Sequence, residues 1–172
     1  MAIVVAILVL SSYRPGCAPA STADITFTIA LDRDGSVEAA YYIRSIPVTL
    51  LIDKEGTVRG RRVGAFVSQE ALMSWLEDLT SSEAESPPSG VGPEVGHVAP
   101  DFTLPTLNGA TVELSQLRGK WVLLNFWTTW CGGCRILMPH LQAAFEEKGA
   151  EIEFIGINLG ESEERVRRYI EG

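Results

Sequence analysis

Two cysteines three positions apart, Cys131 and Cys134, lie between an apolar run and a stretch of helix-forming residues in a chain of 172. The run Trp121-Val122-Leu123-Leu124-Asn125-Phe126-Trp127 reads as a buried strand, and Trp130-Cys131-Gly132-Gly133-Cys134 stands where that strand gives way to a helix. A helix N-terminus carries about half a positive charge and N–H groups without intrahelical partners, which favour a thiolate on the first cysteine. The second cysteine sits about one turn inward, within disulfide reach. The spacing therefore points to dithiol exchange, with Cys131 attacking and Cys134 resolving.

Other chemistries start from the same residues. A C-x-x-C pair also opens many zinc sites, and the remaining soft ligands are Cys17, His97 and His140. No second close ligand pair exists, whereas a structural zinc takes four ligands in paired spacing, so no metal is expected. Two buried, inert cysteines are the plain alternative. Against it stand Trp130 just before the pair, Gly132 and Gly133, which leave Cys131 uncovered, and the positive charge of Arg135. A peroxidatic cysteine is a third reading, because Thr128 lies three residues before Cys131 and Ala99-Pro100-Asp101-Phe102 resembles the opening of peroxiredoxin-like domains. Leu124 stands where that motif has proline, and the resolving thiol is already at hand, which suits disulfide exchange better.

The elements that position the pair are legible around it. An Asn108-Gly109 turn marks a hairpin over Phe102–Leu114, followed by the Trp121–Trp127 strand, the helix opened by Cys131, a strand over Ile152–Asn158 and a helix near Ser162–Ile170. Upstream lie the segment Ile25–Leu31, a short helical piece near Val37–Tyr42, and strands at Val48–Ile52 and Val58–Val63 joined by Lys54-Glu55-Gly56. A further helix follows a candidate N-cap at Ser68, with Leu72, Trp75, Leu76 and Leu79 at i, i+3, i+4 and i+7 as an ordinary core stripe.

These residues resemble the thioredoxin superfamily, in particular its membrane-tethered branch serving cytochrome c maturation and related extracytoplasmic thiol reduction. The resemblance rests on Val98-Ala99-Pro100-Asp101-Phe102-Thr103-Leu104, Leu117-Arg118-Gly119-Lys120, Asn125-Phe126-Trp127, Cys134-Arg135 and Met138-Pro139. It implies an α/β fold with a thioredoxin-like central mixed sheet flanked by helices, and a protein-disulfide reductase without cofactor. Ser45-Ile46-Pro47-Val48-Thr49-Leu50-Leu51-Ile52-Asp53 looks like the family's cis-proline loop. By that resemblance Pro47 faces the cysteines and the backbone of Ile46 is aimed at a substrate, which Trp130, Gly132 and Gly133 also touch. The local sequence alone favours a trans proline opening a strand.

Two departures from the family bear on the chemistry. Asn125 stands where thioredoxin has a buried aspartate, and Leu137 where the branch often has an acidic residue, so His140, Glu113 or water is left to take the proton of Cys134. Gly133 replaces the usual proline. Extra loop freedom in the reduced state costs about 0.5–1 kcal/mol per glycine, which makes the pair slightly more oxidising and predicts a more negative potential for Gly133→Pro.

The order of the halves is unusual. Residues 25–79 resemble the C-terminal half of the fold and residues 97–172 its N-terminal half, separated by a Ser/Pro/Gly/Glu linker over 80–96 and preceded by a signal-like or leftover apolar segment over 1–24. The fold is therefore read as circularly permuted or as built from halves of two tandem domains. The linker could stretch to about 55 Å at about 3.3 Å per residue, against a radius of gyration near ~15 Å, so closure within one chain is easy, as is a swapped dimer.

Hydrophobic residues make up 46%, enough for a sizeable core, and a net charge of −8 disfavours nucleic acid. The basic run Arg59, Arg61, Arg62 is read as a solvated strand face. Ala2–Leu10 is apolar, too short to span a bilayer but long enough for a signal-peptide core, with no basic residue before it; Cys17 follows at a lipoprotein-like distance in a poorly matching box. The family resemblance implies an extracytoplasmic, membrane-associated or periplasmic location with a membrane tether, the alternative being cytoplasmic. Expected partners are protein or small-molecule disulfides and an unidentified thiol electron donor. A non-catalytic fragment or peptide-binding module remains the reading from a different class.

Overall fold

The computed structural model describes residues 25–82 and 90–171; the apolar run Ala2–Leu10, Cys17 and most of the linker fall outside them. Five strands form one mixed sheet: β1 (Thr28–Asp32), β2 (Val48–Ile52), β3 (Val58–Val63), β6 (Trp121–Trp127) and β7 (Ile152–Leu159), in the order β1-β7-β6-β2-β3. β1, β7 and β6 run parallel, β2 is antiparallel to β6, and β3 is antiparallel to β2. The consecutive strands β1 and β2 are thus held apart by β6 and β7, which come from beyond the linker. Neither stretch completes this sheet without the other.

A separate hairpin, β4 (Thr103–Pro105) and β5 (Thr111–Glu113), turns at Asn108-Gly109, where Gly109 adopts a left-handed φ of 83°. Asn108 Oδ1 accepts the Ala110 N–H at 3.1 Å and closes the turn. The hairpin docks on β1 through the Leu107 N–H, which donates to the Ile29 carbonyl at 3.0 Å.

Alternation along the strands sends side chains to two cores. Leu51, Leu123, Trp127, Phe154, Ile29 and Leu31 face α2 (Gln69–Ser81), α3 (Gly132–Lys148) and α4 (Glu163–Ile170). Leu50, Ile52, Val122, Leu124, Phe126, Ile155 and Ile157 face α1 (Ser36–Ala40), Tyr41 and the hairpin side. Helix starts follow their caps. Ser68 Oγ accepts the Ala71 N–H at 3.2 Å, Ser162 Oγ accepts the Arg165 N–H at 3.4 Å, and both carboxylate oxygens of buried Asp32 receive N–H groups at the start of α1. Tyr41 is fully buried, and its hydroxyl donates to the Pro100 carbonyl at 2.7 Å; burial raises its pKa, so it remains a neutral donor.

Two details differ from the sequence reading. Helix α2 continues through Ser81, beyond the start assigned to the linker, and residues 90–98 fold back onto β3: the Val58 N–H donates to the His97 carbonyl and the Gly96 N–H to the Val58 carbonyl, each at 2.9 Å. The arginines of β3 are not one solvated face. Arg59 meets buried Asp53 at 3.5 Å, and Arg61 donates to the carbonyls of Tyr41 and Pro93, because alternation turns successive side chains to opposite faces; Arg62 is the exposed one, its guanidinium 4.4 Å above the Phe66 ring. Since Leu124 is fully buried where β6 lies between β2 and β7, Leu124→Ala is expected to cost about 2–5 kcal/mol, read as a lower urea midpoint with an unchanged slope.

Candidate functional site

Strand β6 ends on the redox pair. Its last residue, Trp127, is fully buried, and four residues later Cys131 serves as the N-cap of α3. Cys131 and Cys134 are joined in a disulfide with Cα atoms 5.2 Å apart. The Cys134 N–H points at Cys131 Sγ, 3.1 Å away, so a backbone donor already faces the sulfur on which negative charge develops after reduction. Cys131 is 7% exposed and Cys134 1%, the asymmetry that an attacking and a resolving sulfur require.

Pro47 stands opposite. The Ile46–Pro47 peptide is cis, as the family resemblance implied and the local sequence alone did not favour. A Cβ built on Gly133 would sit 3.3 Å from Pro47 Cδ and 3.9 Å from Ala65 Cβ, which measures how closely the proline loop approaches the disulfide. The Gly64 N–H donates to the Pro47 carbonyl at 2.8 Å and ties β3 to this loop. Ile46 is half-buried, Trp130 is 66% exposed, and nothing lies within 4 Å of a Cβ built on Gly132. The structure thus sets Pro47, with Ile46 before it, against Gly133 in the segment of Trp130, Cys131, Gly132, Gly133 and Cys134.

The surroundings of Cys134 are apolar. Leu137, Met138 and Leu72 share its core cluster, and Leu137 is fully buried where the branch often has a carboxylate. Asn125 lies between Leu123 and Trp127 on the same sheet face; its Nδ2 donates to Thr49 Oγ1 at 3.1 Å, while its buried Oδ1 has no partner. Of the proton acceptors considered from sequence, Glu113 is committed elsewhere. Its two oxygens accept from Ser115 Oγ at 2.6 Å and Gln116 Nε2 at 2.7 Å on the hairpin side. His140 is half-buried on α3.

A latch that sequence reasoning missed holds the approach to Cys131. Glu161 is 8% exposed; one carboxylate oxygen accepts the Thr129 N–H at 2.7 Å and Asn158 Nδ2 at 2.8 Å, and the other accepts Thr129 Oγ1 at 2.7 Å and Arg165 Nε at 2.9 Å. The loop after β7 thus clamps the loop after β6, two residues before the first cysteine. Its only sequence signal is polarity out of place, an asparagine near the end of an apolar strand and a glutamate just past it. Beside the latch, Tyr169 stacks 5.5 Å from Trp127, and burial raises its pKa, leaving a neutral hydroxyl near Arg135.

A five-stranded mixed sheet, a C-x-x-C pair capping the helix after its central strand and a proline loop facing that pair define a thioredoxin-like protein. Residues 95–172 match the model of the AhpC/TSA family. The chain is 40% identical over 76 residues to the thiol-disulfide oxidoreductase ResA of Bacillus subtilis, a match covering 44% of this chain and 42% of the relative. It is 43% identical over 84 residues to ResA of Oceanobacillus iheyensis, covering 45% and 43%, and 40% identical over 82 residues to the thioredoxin-like protein YneN of B. subtilis, covering 46% and 48%. The chain spans less than half the length of these relatives. Over the segment that carries the C-x-x-C pair, the chain is thus similar to ResA-like proteins of the thioredoxin superfamily, and its sheet has a thioredoxin-like order.

The geometry refines the expectation for the two glycines. Any side chain at Gly133 crowds Pro47, so the entropy argument is confounded there, whereas Gly132 has open space. Gly132→Ala is expected to make the potential more negative by about 10–20 mV, from about 0.5–1 kcal/mol of lost freedom in the reduced loop at about 30 mV per 1.4 kcal/mol. Titration of both glycine variants against glutathione checks this, and a shift of Gly132→Ala in the positive direction contradicts it.

Proposed function

We propose that this chain is a thiol-disulfide oxidoreductase that reduces protein or small-molecule disulfides through Cys131 and Cys134. The observation that carries the reading is the disulfide at the N-cap of α3, with the more accessible sulfur under a backbone donor and the Pro47 loop opposite. The similarity to the thiol-disulfide oxidoreductases ResA supports the reaction class.

In the reduced protein, Cys131 thiolate attacks one sulfur of the substrate disulfide; the substrate S–S bond breaks, one substrate thiolate leaves and takes up a proton, and a mixed disulfide forms. Cys134 then loses its proton and attacks Cys131 Sγ, releasing the second substrate thiol and closing the protein disulfide. Two electrons pass from the protein dithiol to the substrate. An unidentified thiol donor restores the dithiol. Trp130, Gly132, Gly133, Ile46 and Pro47 form the substrate contact around the sulfurs, and the cis-proline loop suits an extended peptide.

The site is proposed to operate outside the cytoplasm, tethered to a membrane. Among the described residues no helix is long and apolar enough to cross a membrane; the apolar run Ala2–Leu10 lies outside them. As to origin, the order of elements fits either a circular permutation or the end of one tandem domain joined to the start of the next. In both cases the segments pair as one sheet, within a chain or exchanged between two copies.

Turnover of an insulin-type disulfide is expected from the wild-type chain. Cys131→Ser should return the rate to the uncatalysed level, and Cys134→Ser should accumulate a mixed disulfide whose mass equals protein plus substrate. Substrate binding without turnover by the wild-type chain would instead identify a peptide-binding module.

A further inference from the structure

Six of the thirteen described lysines and arginines are tied to carboxylates. Arg33 meets Glu163, Arg59 meets Asp53, Lys120 meets Glu153, Arg165 meets Glu161, Arg167 meets Glu163 and Glu171, and Arg168 meets Glu164. Arg61 is taken by backbone carbonyls. Among the described residues, Arg44, Arg62 and Arg135 have no ion pair, and all three stand at the end of the sheet that carries the disulfide. Lys54, Arg118 and Lys148, also outside any ion pair, belong to the opposite end, after β2, before β6 and at the last turn of α3.

The placement around the sulfurs is specific. Arg135 follows Cys134 directly and is exposed. Arg62 is exposed on β3, opposite Thr49, two residues before the Gly64 N–H that holds the Pro47 carbonyl. Its guanidinium is held over the Phe66 ring, which fixes its direction without neutralising it. Arg44 is exposed two residues before Ile46 and shares a recess with Glu38. Exposed apolar side chains follow β3 and flank the cysteine pair: Val67 (82%), Trp130 (66%) and Ile136 (55%).

Several carboxylates at this end are engaged: Glu161 is buried in its latch, Glu163 and Glu164 are paired with arginines, and Glu70 accepts hydrogen bonds at its own helix start, while Glu38 lies in the recess of Arg44 and weakens that margin. The net charge of −8 would repel an acidic partner at long range. Screening over about 8–10 Å at ordinary ionic strength removes most of that repulsion, and the charges that face a docked substrate decide its orientation and rate.

We propose that the redox site prefers polypeptide disulfides flanked by aspartate and glutamate, the apolar side chains gripping the peptide while Arg62 and Arg135, with Arg44 at the margin, receive its carboxylates. This rests on the oxidoreductase reading. Arg44 and Arg62 act on specificity and not on the sulfur chemistry, whereas Arg135, next to Cys134, bears on the thiolate as well.

The experiment compares three synthetic peptides with one intramolecular disulfide and identical spacing, flanked by Glu, Ser or Lys, as substrates of the full chain. At low salt kcat/KM for the Glu peptide is expected to exceed that for the Lys peptide by about tenfold, and the ratio to fall towards one in 0.5 M salt (about 4 Å screening length). The double variant Arg44→Gln/Arg62→Gln should lose much of the Glu-over-Lys ratio while its glutathione redox midpoint stays that of the wild type. A ratio of one or below in the wild type, or a ratio unchanged in the double variant, overturns the proposal. Absence of turnover with all three peptides would overturn the oxidoreductase reading and this preference with it.

Discussion

Backbone hydrogen bonds between β2 and β6 carry the join between the two stretches of chain that flank the linker. Val48 lies opposite Phe126, Thr49 opposite Asn125 and Leu50 opposite Leu124, and this register sets where Pro47 falls relative to the end of β6. A slip of one residue would turn every side chain of β2 to the other face and exchange the residues of the two cores. On the far side β6 pairs with β7 over its full length, and β1 closes the sheet against β7. Because β6 and β7 of the second stretch lie between β1 and β2 of the first, strand pairing, core burial and assembly of the site become one event. The proline and the disulfide meet only when that event is complete.

What is built on this frame is a sulfur pair under two different constraints. Cys131 is presented by a helix cap, a clamped loop and two glycines, so it is accessible but fixed. Cys134 is enclosed by apolar side chains, with the Asn125 carbonyl oxygen as an unpartnered polar atom on the same sheet face. An apolar enclosure disfavours a thiolate and so guards against premature attack by the resolving sulfur. The Glu161 latch complements this arrangement, because a carboxylate that receives four hydrogen bonds from three residues beside it and beyond it gives the loop before Cys131 one position.

Much of this was legible in the residues. The Asn108-Gly109 turn, the caps at Ser68 and Ser162, the stripe of Leu72, Leu76 and Leu79 and the strand from Trp121 to Trp127 all obey local rules, and local rules find them. The C-x-x-C pair announced its chemistry through spacing and through its place at a strand-to-helix junction. Features that depend on contacts far apart in sequence were harder to read. The isomer of the Ile46–Pro47 bond belongs to a loop packed against Gly133, some eighty residues away. Arg61 looked like part of a solvated run because nothing in β3 shows that the carbonyls of Tyr41 and Pro93 wait on its face. Glu161 went unnoticed because its partners Thr129 and Asn158 become its neighbours only when β6 and β7 pair.

The central claim is that the two stretches assemble one working dithiol site. A redox titration of the purified chain in glutathione buffers, with alkylation and mass analysis at each point, tests it most directly. The account predicts a reversible Cys131–Cys134 disulfide with a single midpoint, and a reduced state in which Cys131 is alkylated much faster than Cys134. Failure to close reversibly, with both thiols alkylated at the rate of the urea-unfolded chain, would contradict it.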